Sequence, residues 1–342
     1  MLALPHVYLM VHSAVKSALF FKIAHRQAGL SIVLKISAFM ALAACTGINR
    51  VEEVKFITID LDNFWEAFPT VPPDTTQAAT LFQQRYFAAG SPGLQEYYQN
   101  RYRGQPLPFA RRIMRHARFY ATARPNMQAV AAQKPQVLAA FRRLQELYPP
   151  VRFSHIYFLV GGFRGSTAQR TGLLIGVEYL VDGPGVDTSE LSLAERRRCA
   201  PVTAIPAMVT HEMIHNTQQP ADGTLLSYAI REGMGDFVAE LVVGVPGTNA
   251  RLQAYGQAHE EQLWRAFRQE MNGKDASNWL ANPQQETAEK PCDLGYYLGY
   301  RICQAYYNKA VDKKQAVAEM LQTKDFQGFL KQSGYGQQWQ GH

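Results

Sequence analysis

The chain is short of cysteine and of several other familiar chemical signals. It holds four cysteines in 342 residues. No two have the C-x-x-C spacing, so a zinc site built from cysteines is excluded. The glycine-rich stretch Gly161-Gly162-Phe163-Arg164-Gly165-Ser166 lacks the Gly-Lys-Ser/Thr ending of a phosphate loop. Apart from Arg196-Arg197-Arg198, which reads as the solvated face of a short helix, there is no basic run and no nucleic-acid-binding module. Nucleic acid is therefore not an expected partner. No internal repeat is evident. The first 44 residues contain no acid at all, and His and Lys interrupt them too often for a membrane span.

Composition is that of a globular protein, with 47% apolar and 18% charged residues, and the length allows one large domain or two. The acid-free N-terminus carries Lys16, Lys22, Arg26 and Lys35, followed by the apolar run from Ile36 to Ala44. A basic stretch, an apolar core and small residues make an export signal. Leu42-Ala43-Ala44-Cys45 resembles the bacterial lipobox, which implies lipidation of Cys45 as the mature N-terminus. The true start would then lie nearer Leu30 to Leu34. Without those four cations the net charge falls from +7 to +3. The expected organisation is a signal over 1–44, a strand and helical region over 45–150, a metallopeptidase domain over 151–335 and a tail over 336–342. The expected location is the cell envelope. Thr46 after Cys45, in place of Asp, points to the periplasmic side of the outer membrane. Of the remaining cysteines, Cys199 and Cys292 are the candidates for a disulfide in an oxidising periplasm, while Cys303 reads as a buried apolar residue.

What the chain does have is His211-Glu212-Met213-Ile214-His215, an H-E-x-x-H motif. Helical residues four apart share a face, so both imidazoles can reach one ion with Glu212 beside them. A zinc hydrolase needs these parts: neutral nitrogen ligands, and a carboxylate to take a proton from water. Pro206 suits a first helical turn. The apolar neighbours Ala207, Met208, Met213 and Ile214 predict a buried helix, in which two unpartnered His would be costly.

Catalytic zinc usually takes three protein ligands. A second helix is predicted over Leu225–Leu241, after the turn-rich Gln219–Thr224. Lying antiparallel to the first, it returns Glu232 to the level of the two His. Glu232, Asp236 and Glu240 share one face and are the candidate third ligands, with Glu232 first. A neighbouring acid can instead accept a hydrogen bond from the far nitrogen of a ligating His, which fixes its tautomer. A third His is not available, because Gln218 and Ala221 stand where H-E-x-x-H-x-x-G-x-x-H needs Gly and His. Gly233 and Gly235 are costly in a helix and suggest close approach to the metal helix.

His211-Glu212-Met213-Ile214-His215 followed by Glu232-Gly233-Met234-Gly235-Asp236 resembles the gluzincin metallopeptidases. The wider run through Gly295-Tyr296-Tyr297-Leu298-Gly299-Tyr300-Arg301-Ile302 resembles a family of bacterial predicted zinc-dependent proteases, some of whose relatives are gliding-motility lipoproteins. The similarity covers roughly residues 150 to 335. It implies His211, His215 and Glu232 as ligands of one Zn2+, Glu212 as general base, Asp236 as the His partner, and a peptide or protein substrate. Gly235 departs from the commoner E-G-x-A-D pattern. In peptidases of this class a strand beside the metal helix often pairs with extended substrate. Residues 171–181 are the candidate, with Glu178 able to meet a substrate amine or to form the polar face of a half-buried strand.

The expected fold is α+β: a mostly helical, zincin-like domain with a small sheet beside the H-E-x-x-H helix. Strands are predicted at 54–61, 152–160 and 171–181. Helices are predicted at 76–89, 93–101, 107–121, 126–147, 250–272 and 291–309. Tyr296 and Tyr300 are four apart on the last of these. Either phenol, if close to the zinc, could stabilise an oxyanion. His259 sits in an exposed-looking helix and is a poorer candidate. The competing reading is a non-catalytic envelope lipoprotein, active in assembly or motility, that retains the metal site.

Overall fold

The computed structural model describes residues 47–245 and 250–339. The lipobox-like residues, Cys45 and the signal segment lie outside them. The described residues pack as one compact unit.

The order of elements is β1 (Phe56–Ile57), α1 (Ile59–Ala67), α2 (Thr75–Phe82), α3 (Pro92–Tyr102), α4 (Pro106–Arg115), α5 (Ala117–Gln128), α6 (Lys134–Leu147), β2 (Ile156–Leu159), β3 (Thr167–Ala168) and β4 (Leu173–Gly176). The second half is helical: α7 (Leu193–Arg198), α8 (Ile205–His215), α9 (Leu225–Val243), α10 (Ala250–Ala258), α11 (Glu260–Glu270), α12 (Leu294–Lys309), α13 (Lys313–Gln322) and α14 (Phe326–Ser333). The fold is thus α+β and mostly helical, with a small sheet.

That sheet runs β1-β2-β4-β3, parallel except for the last pair. β2 and β4 are buried on both faces, as expected for parallel strands that read as continuous apolar runs. β1 pairs with β2, so the sheet draws together residues from both sides of position 150. The predicted first strand shrinks to two residues because helix α1 begins at Ile59, two residues after β1 ends.

The predicted strand over 171–181 also ends early. After Gly176 the backbone turns into a 3-10 helix, Val177–Leu180, which carries Glu178 into the interior. β4 is not an edge, because β3 occupies its free side. Substrate pairing at 171–181 is therefore closed off. The outer strand on that side is Thr167–Ala168. Gln169 and Gly172 exchange both backbone hydrogen bonds, which makes Thr167–Leu174 the next bonded pair. Ala168 then turns its N–H and C=O outward.

Helices α8 and α9 form the centre of the second half. α8 is buried around most of its circumference: Ile205, Ala207, Val209, Met213 and Ile214 are all covered. Pro206 sits in the first turn, as its missing N–H allows. α8 packs against β3, β4, α6 and α9. α9 starts at Thr224, whose hydroxyl accepts from Ser227 N, and stops at Gly244 with φ 84°.

The glycines of α9 serve two different neighbours. A Cβ on Gly233 would fall 1.9 Å from Tyr300 N, while one on Gly299 would fall 1.7 Å from Ala229 O. Gly233 therefore admits the backbone of α12, and does not approach the metal helix as its position had suggested. Gly235 is the residue that faces α8, since a Cβ there would meet the His211 ring at 2.7 Å.

Candidate metal centre

Contacts between α8 and α9 run in opposite residue order, which makes the helices antiparallel. His211 meets Asp236, His215 meets Glu232, and Gln218 meets Arg231. The result is a cluster of three possible ligands, His211, His215 and Glu232, whose atoms all lie within 4.8 Å of one another. The two Nε2 atoms are 3.0 Å apart. Glu232 Oε2 is 3.4 Å from His211 Nε2 and 3.3 Å from His215 Nε2.

These separations fit a tetrahedral ion. Bonds of about 2.0–2.1 Å to nitrogen and oxygen place neighbouring donor atoms roughly 3.3 Å apart. The tautomers fit as well. His211 Nδ1 lies 2.8 Å from Asp236 Oδ1. His215 Nδ1 lies 3.0 Å from Gln218 Oε1, and the Gln218 amide nitrogen donates to the Arg231 carbonyl at 2.8 Å. That second bond orients the amide, so its oxygen faces the imidazole and must accept. Both rings then carry hydrogen on Nδ1 and turn lone pairs at Nε2 toward each other and toward a carboxylate oxygen. Three converging lone pairs repel unless a metal ion or a proton lies among them.

The electrostatics agree. Burial alone would lower the pKa of His211, but the carboxylates of Asp236 and Glu232 outweigh it and raise the value. Burial alone would raise Glu232, yet His215 and His211 hold it well below the ordinary range. The pocket is arranged to stabilise positive charge. Glu212 is buried too, and burial raises its pKa against the pull of His211, His215 and Arg101.

The other candidates fall in different places. Asp236 bonds to the far nitrogen of His211 rather than joining the ligand atoms. Glu240 accepts from the Tyr300 hydroxyl at 2.9 Å. Tyr300 is therefore engaged with Glu240, its ring edge-on to Phe237. Tyr296 lies at the centre: its ring is near-parallel to His211 at 6.3 Å. Burial raises its phenol pKa well above the usual value, and Glu232, Asp293 and Asp236 raise it further. His259 sits at the break between α10 and α11, its Nδ1 2.9 Å from Tyr255 O.

Three sequence readings are corrected. Cys199 and Cys292 are both unpaired, and Cys199 Sγ contacts Glu195 O instead. Arg197 and Arg198 do not form a solvated face, since they bond to Glu286 and Asp293 in the segment before α12. Glu178 meets no substrate path. It is enclosed among tyrosines, accepting from Gly162 N and the Tyr120 hydroxyl.

Residues 47–337 match the family described as Gliding motility protein GldB. The chain belongs to this family. No curated protein and no solved structure matches it. Membership in the GldB family accords with the gliding-motility lipoproteins among the relatives that the motif pattern suggested. No helix among the described residues is long and apolar enough to cross a membrane.

Sequence reasoning missed two contributors to this GldB-family centre. Gln218 was noticed only as a residue that is not Gly. Its signal was position, since it lies three residues beyond the second His and one helical turn along the same face. Arg101 belongs to no motif, and only the fold brings α3 near Glu212.

Proposed function

We propose that this GldB-family chain is a lipid-anchored envelope protein that holds one zinc ion between α8 and α9 and hydrolyses peptide bonds there. The observation that carries the reading is Glu212. It sits in the buried centre beside the ligand cluster, yet the ligand atoms come from His211, His215 and Glu232. A site that only stabilised the fold would have no use for a further carboxylate that neither ligates nor orients a His.

His211 and His215 would hold the ion through Nε2 and Glu232 through a carboxylate oxygen. Zinc so held supplies Lewis-acid polarisation of a carbonyl and a more acidic water. Asp236 and Gln218 keep both imidazoles in the ligating tautomer. Glu212, with its pKa raised by burial, would take a proton from water and return it to the leaving nitrogen. The Tyr296 phenol, its ring beside His211, would donate a hydrogen bond to a developing oxyanion. Ala168 offers an outward N–H and C=O beside α8, to which an extended chain can pair.

A second reading has its own support. Membership in a gliding-motility family favours a non-catalytic role in envelope assembly or motility, with the ion retained as a structural element. One comparison separates the two: hydrolysis of a mixed peptide pool by wild type and by Glu212→Gln, each with zinc content measured. The peptidase reading expects equal zinc and a loss of rate of at least about a hundredfold. Equal rates, or no hydrolysis by either protein, leave the structural role.

A further inference from the structure

Helix α8 packs against β3 and β4, α3 walls the same sheet by packing on β2 and β4, and four tyrosine hydroxyls pin the Gly161–Ser166 loop that leads into β3. Tyr86 bonds both N and O of Val160. Tyr102 donates to Gly161 O and Tyr97 to Gly165 O. Tyr120 reaches Gly162 through Glu178. The loop leads directly into β3, so the outer edge of that strand is fixed relative to α8.

On this wall stands Arg101, in the last turn of α3. Its Nη2 donates to Ser166 O at 3.0 Å, just before β3 begins, and its guanidinium lies over the Tyr97 ring at 5.9 Å. The side chain is thus held in place while the residue stays exposed. One of five guanidinium hydrogens is used by Ser166 O, and the fork is open to a planar anion. Ser166 immediately precedes β3, and β3 packs against α8, so Arg101 is tied to the strand that flanks the H-E-x-x-H helix. Residues 101 to 124 contain seven arginines and no acid, of which Arg112 pairs with Glu195 and Arg118 with Asp187 and Glu190.

We infer that Arg101 determines specificity at this centre, its guanidinium pairing with a carboxylate on a peptide laid along the outer edge of β3. This rests on the peptide-binding part of the function proposed above. The carboxylate has two possible sources, a free chain terminus or an acidic side chain. Both present the same planar oxygen pair. A positioned guanidinium beside an edge strand selects peptides that bring such a group close to the bond at the metal, and it contributes to binding rather than to proton transfer.

The test uses zinc-loaded Glu212→Gln protein and three fluorescein-labelled octapeptides of otherwise neutral sequence. One has a free C-terminus, one an amidated C-terminus, and one an amidated C-terminus with a single internal Glu. Fluorescence anisotropy is expected to show at least one carboxylate peptide binding about tenfold more tightly than the neutral one. The preference should shrink as salt is raised. Which peptide gains identifies the source. Adding Arg101→Gln should bring all three within about twofold of the neutral peptide, while Arg101→Lys keeps part of the preference. Equal binding of all three, binding of none, or a preference that survives Arg101→Gln overturns the assignment. Wild-type hydrolysis of the same peptides answers the separate question. A carboxylate preference in binding without hydrolysis keeps Arg101 and removes the peptidase. Hydrolysis without carboxylate preference removes Arg101 alone.

Discussion

Asp236 Oδ1 stands 2.8 Å from His211 Nδ1, one helix across from the motif that the imidazole belongs to. This bond decides which ring nitrogen is free to bind a cation. Replacing Asp236 by Ala should weaken zinc binding by about 10- to 100-fold, the usual effect of losing such a partner. Asn at the same position can still accept through its amide oxygen and should lose less. Competition with a chromophoric chelator measures both. Identical zinc affinity in Asp236→Ala and wild type would mean that the bond is incidental.

Removing the ion should also loosen the fold. The ligands come from two helices that meet face to face, so binding favours the folded chain. At free zinc 100 times its Kd the gain is about 2.7 kcal/mol. For a unit of this size that is roughly 4–5 °C in Tm. Differential scanning fluorimetry with and without chelator should show the drop in wild type. His215→Ala should melt at one temperature in both buffers.

The crossing of α9 and α12 gives a prediction about packing alone. Gly233 and Gly299 interlock where each would drive a Cβ into the other helix's backbone. Backbone cannot rotate aside as a side chain can. Gly299→Ala should therefore cost about 3 kcal/mol or more, at or above the upper end for overpacking. Urea unfolding would measure it. Gly235→Ala differs in kind, because its new methyl meets the His211 ring. It should cost less stability and more zinc affinity.

These glycines show where the sequence could be read and where it could not. H-E-x-x-H and the Glu-to-Asp spacing on α9 are local helical periodicities, so the clustering of His211, His215 and Glu232 and the antiparallel pairing were legible. So was the reversal at Gln219–Thr224. The target of each glycine was not legible, because a missing Cβ records a close approach without naming the neighbour. The strand ends failed for a related reason. Val54–Leu61 alternates well enough for a strand, yet only Phe56 and Ile57 find a partner in β2, and a helix takes over at Ile59. Residues 171–181 read as one apolar strand, although the chain turns after Gly176 to deliver Glu178 to the Gly162 amide. Arg101 and Gln218 are legible only in three dimensions, since neither belongs to a spacing that chemistry alone demands.

Glu178 yields a pH dependence whose sign can be worked out. The residue is almost fully buried, and one carboxyl oxygen has no hydrogen-bond partner. Burial raises its pKa above the ordinary 4.5, although hydrogen bonds from the backbone and Tyr120 act against the shift. A folded-state value above the unfolded one means the folded chain holds the proton more tightly. The stabilisation is complete below about pH 4.5 and is lost as pH rises through the folded value. Above that, wild type carries a buried charge that Gln would not. Gln at 178 keeps an oxygen for the Gly162 N–H and the Tyr120 hydroxyl, so the cage need not open. The Tm of Glu178→Gln minus that of wild type should therefore increase between pH 4 and pH 8. The readout is the slope, because an unpartnered amide hydrogen offsets both ends equally. Parallel Tm curves across that range would show that Glu178 titrates alike in the folded and unfolded chain.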